Sequence, residues 1–337
     1  EGPDDRHRSQ AVSGGPAGDE VFVMSVSTRR LNVGLIGAGR SGRFHFQRLC
    51  LRGDLVPVAV VSGGPEELSV AEPSGCRVVA DDHELLADES IDLVLATSRE
   101  SGRIEMVRRA IDLGRPVAVA SPLSEPELAL VSESESPARL LVLSECLADE
   151  DFQVALAEVR RGGLGQPRTL AHSTWGFTGT GSMATSVDEL PVSLLERLEQ
   201  LLLLCDVEPL SVSARLLAGA KEPEGIGIVA RFSGGMTANL EYHPSSPVPL
   251  ATGWVIAGTT GGYRDCELFA LTDDEEVYGT PLESGSIDLD RVYDDIVLQW
   301  DDASHHGEVL NRADRLVRFI SAVRESLSRG TDVEVAS

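Results

Sequence analysis

The stretch L-N-V-G-L-I-G-A-G-R-S-G, residues 31–42, decides the fold. A short apolar run leads straight into Gly37-x-Gly39-x-x-Gly42, and a helical pattern follows at once over residues 43–51. Strand, glycine turn and helix in that order give a G-x-G-x-x-G match its mechanism. Gly37 permits the tight turn, Gly39 lets backbone approach a pyrophosphate, and Gly42 lets the helix pack closely on the strand. The helix start offers unpaired N–H groups and a positive dipole end to phosphate. The plainer alternative is a tight turn that has kept its glycines and binds nothing.

Outward from that turn, apolar runs alternate with helical segments. Strands are expected at 55–61, 77–79, 92–96, 116–120 and 140–143. Helices are expected at 83–87, 105–113 and 125–134, the last opened by Ser124. Such alternation predicts a doubly wound parallel sheet covered on both faces, an α/β Rossmann domain over residues 29–148. The pattern then changes. A helix at 152–161 is stopped by Gly162-Gly163, a strand at 167–175 follows, and a very apolar helix covers 190–204. Strand-like runs come next at 210–216, 227–232, 237–242, 253–257, 262–269 and 276–278, before a terminal helix at 311–328. Residues 149–337 therefore read as an α+β domain with a large open-faced antiparallel sheet. Residues 1–28, polar and rich in Gly and Pro, read as a disordered extension.

The chain has 337 residues, 42% of them hydrophobic, and a formal net charge of −25. That charge argues against nucleic acid or an anionic membrane as partner. No apolar run is long enough to span a bilayer. Five scattered cysteines without C-x-x-C spacing suggest a reducing, cytoplasmic setting and no metal site. Lys221 is the only lysine, and it lies in a charged loop.

Several stretches resemble the glucose–fructose oxidoreductase/inositol dehydrogenase (Gfo/Idh/MocA) family. They are V-G-L-I-G-A-G-R-S-G-R-F-H (33–45), D-D-H-E-L-L-A-D-E-S-I-D-L-V-L-A-T (81–97), A-I-D-L-G-R-P-V (110–117) and G-G-L-G-Q-P (162–167). The resemblance implies an NAD(P)-dependent oxidoreductase of a sugar- or cyclitol-like substrate, assembled as a homo-oligomer through the open sheet face. It also implies a catalytic lysine after the fifth strand, where this chain has Ser121. The acid-and-histidine signature at the start of the long helix aligns with Glu189 and Ser193, so the acid is kept and the histidine is not. Two further signatures, after the fourth and sixth strands, also depart from the family pattern. An inactive relative, serving as a dinucleotide-binding sensor or partner subunit, is thus an alternative, and so is a scaffold that binds no nucleotide.

Gly37, Gly39, Arg40, Ser41 and Gly42 of the turn, Ser62 after the second strand and Thr97 after the fourth are the expected cofactor contacts. Ser62 stands where an acid would hold a ribose 2′-hydroxyl. With Arg40 it tilts the choice towards NADP over NAD, a turn serine and a solvated arginine being the alternative. Ser121, Glu189 and His172 are the catalytic candidates, His172 only if its strand face is wet. Glu145 and Glu189 would suit acid–base work if buried, though acids at helix starts commonly serve only the dipole. His45 is expected to pack against the sheet, Trp175 to stack on a ligand or fill the domain interface, and His305-His306 to be solvent-exposed.

Overall fold

The computed structural model describes residues 29–37, 40–61, 75–97, 102–133, 139–175, 190–205, 207–217, 225–243, 253–271, 277–282 and 288–336. Gly39, Ser62, Glu189, Lys221 and the extension at 1–28 lie outside these residues, as do the side chains of Arg40 and Trp175.

Six strands form the first sheet: β1 (Leu31–Ile36), β2 (Leu55–Val61), β3 (Arg77–Val79), β4 (Leu93–Ala96), β5 (Val117–Ala120) and β6 (Leu140–Leu143). Their order is β3-β2-β1-β4-β5-β6 and every pair is parallel, the doubly wound arrangement expected. All four residues of β4, β5 and β6 are buried, because helices cover both faces and no polar side chain has water to reach. The helices are α1 (Arg40–Leu49), α2 (Asp82–Ala87), α3 (Arg103–Asp112) and α4 (Glu125–Glu133). Ser124 opens α4 as a capping box with Glu127, whose carboxylate accepts from the Ser124 backbone N–H at 2.7 Å and hydroxyl at 2.9 Å.

After α5 (Glu150–Arg161) the chain enters a second sheet through β7 (Pro167–Trp175) and then forms α6 (Val192–Leu204). The second sheet is completed by β8 (Pro209–Leu217), β9 (Gly225–Phe232), β10 (Thr237–His243), β11 (Trp254–Gly258), β12 (Gly261–Arg264), β13 (Glu267–Leu271), β14 (Val277–Pro281) and the short β15 (Val333–Glu334). Nine strands run in the order β14-β13-β12-β11-β7-β10-β9-β8-β15. The sheet is mixed rather than purely antiparallel, since β7 and β10 pair in parallel at its centre. A single strand expected at 262–269 is instead the hairpin of β12 and β13. Asp265 and Cys266 turn it with φ of 52° and 57°, the left-handed pair of a two-residue hairpin, without the glycine that usually marks one.

One face of this sheet is packed. Row by row, Val212, Ala230, Ala238, Leu170, Ile256 and Tyr263 lie in register, and so do Ala214, Ile228, Leu240, His172 and Trp254. All are buried. The opposite face leaves Val229 and Val255 exposed. The chain ends with α7 (Arg291–Asp301) and α8 (Ala303–Arg329). Sequence reading placed α7 in no element and started the last helix late. Asp302 opens α8 by accepting from the N–H of Ser304 at 2.8 Å and of His305 at 3.3 Å. The two histidines expected to be exposed therefore sit in its first turn. His305 pairs with Asp295 at 2.8 Å, and burial pushes the His306 pKa down.

Both last helices return to the first sheet. Val309 and Ala313 of α8 share a core with β4 and β5 residues. Gln299 of α7, fully buried, accepts from the Val142 N–H at 2.9 Å and donates to its carbonyl at 2.8 Å. Its amide thus supplies β6, an edge strand, with the partner a seventh strand would have given.

Candidate functional site

In an open parallel sheet ligands bind outside the carboxyl ends of the strands, where the strand order reverses. Here that point lies between β1 and β4. Gly37 turns the chain there with φ of 95°, and α1 begins at Arg40. A Cβ on Gly42 would lie 1.8 Å from the Gly37 carbonyl oxygen, so the helix backbone touches the turn where no side chain fits. Thr97 closes the arrangement from β4: its hydroxyl donates to the Gly37 carbonyl at 2.6 Å. Thr97 is buried, so its role in this structure is to fix the turn.

Ser121 follows β5 and Ser144 follows β6. They are neighbours across the sheet, the Ser121 N–H donating to the Leu143 carbonyl at 2.9 Å. Both hydroxyls are buried and lie against the Glu199 carboxyl. Glu199 of α6 is buried above them. Burial pushes its pKa up, against the opposing influence of Ser144, Arg312, Ser121 and Cys146. Ser144, Glu199 and Arg312 line one small cavity between β6, α6 and α8. The Ser121 segment is itself clamped. Arg103 donates to the carbonyls of Ala120 at 3.0 Å and Pro122 at 3.1 Å, and forks onto buried Glu127 at 2.6 and 2.8 Å.

Beside this cluster runs a chain of polar side chains. The Ser41 hydroxyl donates to Glu145 Oε1 at 2.5 Å, and His45 Nε2 lies 2.9 Å from the same oxygen. His45 Nδ1 is 2.8 Å from the Tyr293 hydroxyl. With Glu145 ionised, the consistent assignment has Nε2–H donating to the carboxylate and Nδ1 accepting from the phenol. His45 is buried, as expected, but it bonds at both ring nitrogens.

His172 is corrected by the structure. It does not face a wet cleft. Its ring lies between Leu240 and Trp254 in the packed row, with an edge-to-face contact to Trp254 at a centroid distance of 5.0 Å. Burial, with Arg197 nearby, lowers its pKa to about 3. A ring that stays neutral at pH 7 and binds protons so weakly is a poor general base there.

Sequence reading placed the turn where the structure has it and named Ser121 and Glu145 among its candidates. Glu199 was missed, and its i, i+4 place on an apolar helix face gave little sign of it. The Glu145–His45–Tyr293 chain joins residues 100 and 248 positions apart, a separation no local pattern reveals. Among the described residues no cluster of histidine, cysteine or acid side chains could hold a metal ion.

The pattern of the oxidoreductase family with an NAD-binding Rossmann fold, Gfo/Idh/MocA, matches residues 31–135. The inositol 2-dehydrogenase of Acidothermus cellulolyticus is 28% identical over 194 residues, covering 55% of this chain and 57% of that protein, so the match spans little more than half of the relative. An NAD-binding protein from Listeria innocua superposes with a TM-score of 0.75 at 18% identity, over 91% of this chain and 99% of that one. A levoglucosan dehydrogenase solved with NADH and levoglucosan gives 0.72 at 15% identity, over 92% and 100%. These two likenesses extend the shared fold across both domains. Residues 31–135 thus carry the pattern of the Gfo/Idh/MocA family of oxidoreductases with an NAD-binding Rossmann fold, and the chain resembles that family.

Proposed function

We propose that this protein is an NAD(P)-dependent oxidoreductase that interconverts a hydroxyl and a carbonyl on a sugar- or cyclitol-like substrate. One observation carries the reading: the Gly42 backbone approaches Gly37 too closely for any side chain, at the start of α1 and at the reversal of strand order. That is a cradle for a pyrophosphate. Gly37, Gly39, Arg40, Ser41 and Gly42 would hold the dinucleotide, and the nicotinamide, when bound, supplies hydride exchange. Arg40 and Ser62 favour NADP over NAD. The uncovered sheet face with Val229 and Val255 suits burial against a second copy, so a homo-oligomer is expected by light scattering.

The test is titration with NADH and NADPH, followed by nicotinamide absorbance with a polyol and sugar panel. Binding at micromolar cofactor and turnover of a panel member are expected. No binding at millimolar cofactor would overturn the proposal.

A second reading, a relative that binds the dinucleotide without turnover, is favoured by buried Ser121 at the implied lysine position. A serine hydroxyl supplies no ammonium. If the native protein binds cofactor but is silent on the panel, and Ser121→Lys restores turnover, this second reading prevails.

A further inference from the structure

The two halves of a doubly wound sheet each receive one mononucleotide. The β1–β3 half takes the adenosine end, where the second strand meets its ribose, so the β4–β6 half takes the nicotinamide end. Glu145 lies two residues past the end of β6, after Ser144, and opens the 3-10 turn Glu145–Ala148. Its Oε1 also accepts from Ser41, the second residue of the helix whose N-terminus faces the pyrophosphate. The carboxylate is therefore one side chain away from the phosphate cradle, on the nicotinamide side of it. Its side chain is 19% exposed, within reach of a bound molecule, whereas His45 behind it is 2% exposed. Tyr293, itself buried, fixes the far nitrogen of that ring. An accessible acid aimed by an enclosed histidine, which is aimed in turn by a third group, is the build of a proton-transfer device. The other candidates are less suited: His172 lies in the packed row of the second sheet, and Ser121 is neutral.

We propose that Glu145, aimed by His45 and Tyr293, faces the nicotinamide end of the bound dinucleotide and takes the substrate proton, in place of the lysine and histidine that the family resemblance implies. The inference rests on the dinucleotide-dependent reading above. In the oxidising direction the substrate C–H bond breaks, and its electron pair leaves with the hydrogen for the oxidised nicotinamide. The hydroxyl O–H bond breaks, its proton passes to the Glu145 carboxylate, and a carbonyl forms. Charge and atoms balance as alcohol plus oxidised cofactor plus carboxylate giving carbonyl, reduced cofactor and carboxylic acid. Reduction runs the same steps backwards.

A carboxylate beside the ring also favours the cationic, oxidised cofactor over the neutral, reduced one. That effect needs no substrate to be measured. Dissociation constants for oxidised and reduced cofactor are compared in the native protein and in Glu145→Gln. We expect the variant to bind the reduced form as the native protein does and the oxidised form roughly tenfold more weakly. On any panel substrate, Glu145→Gln lowers kcat by about 10²–10⁴ with KM little changed, and Glu145→Asp recovers part of it. His45 is a positioning residue: His45→Phe moves the affinity ratio towards that of Glu145→Gln, and His45→Gln, which keeps a donor, restores it. An affinity ratio within twofold of native in Glu145→Gln, whatever its melting temperature, makes Glu145 a staple between α1 and β6 and overturns the proposal alone. A native protein that binds neither cofactor form takes the functional reading down with it.

Discussion

The glycine turn and the ends of β5 and β6 lie along one edge of one sheet, yet they are built in opposite ways. The turn is backbone. Gly37 and Gly42 touch through main-chain atoms, and one hydroxyl from Thr97 seals them. The β5–β6 end is side chains, delivered by α1, α6, α7 and α8 onto Ser121, Ser144 and Glu145. A backbone site tolerates no new atoms but needs little from the rest of the chain. A side-chain site accepts substitution readily, and its chemistry can change while the fold stays. An intact turn beside Ser121 and Ser193, where the family resemblance implies lysine and histidine, is consistent with that difference.

The comparison breaks most visibly at Gly42. In Gly42→Ala the new methyl would meet the Gly37 oxygen at 1.8 Å. Turn and helix must separate, and the cradle opens. Cofactor affinity should fall more than a thousandfold, about 4 kcal/mol at ~1.4 kcal/mol per tenfold. Fluorescence titration checks it. Affinity within tenfold of native would mean that the turn does not hold the phosphates.

On the side-chain half, the strongest test is Glu127. Its carboxylate is 1% exposed and carries the Arg103 fork and the Ser124 cap together. Glu127→Ala leaves Arg103, 11% exposed, as an unpaired charge against the Ala120 and Pro122 carbonyls. Breaking a buried pair from one side costs about 3–5 kcal/mol. Denaturant unfolding should register that loss, while cofactor affinity in the folded protein changes little. A loss below 1 kcal/mol would show that the clamp is already compensated.

The same contrast explains what the sequence disclosed. Strands β2, β3, β6 and β7 lie at the residues expected of them, because apolar runs bounded by glycine or polar residues carry their own limits. The β12–β13 hairpin stayed hidden because Asp265 and Cys266 do a glycine's work. Helix α7 stayed hidden because its buried Val292, Tyr293, Ile296 and Gln299 alternate with aspartates and include a polar residue serving an edge strand. The site divides likewise. Gly37, Gly42 and Thr97 fall within a local motif or just after a strand. Glu145, His45, Tyr293 and Glu199 acquire meaning only when distant helices dock.

Glu199 gives the smallest expected effect and the sharpest sign. Its carboxyl lies in the packed interior of the side-chain half, facing Ser121, Ser144, Cys146 and Arg312. Burial raises its pKa above the ordinary 4.5. The folded state thus holds a proton that the unfolded state gives up more readily, and stability must fall as pH rises from 4.5 through the folded value. Glu199→Gln keeps the shape and removes the ionisation. Below pH 4.5 the two proteins should melt together within about 1 °C, and above pH 7 the variant should melt a few degrees higher. Should the variant melt lower above pH 7, Glu199 is ionised and held by Arg312, and the interior of this half is built around a charge pair instead of a neutral acid.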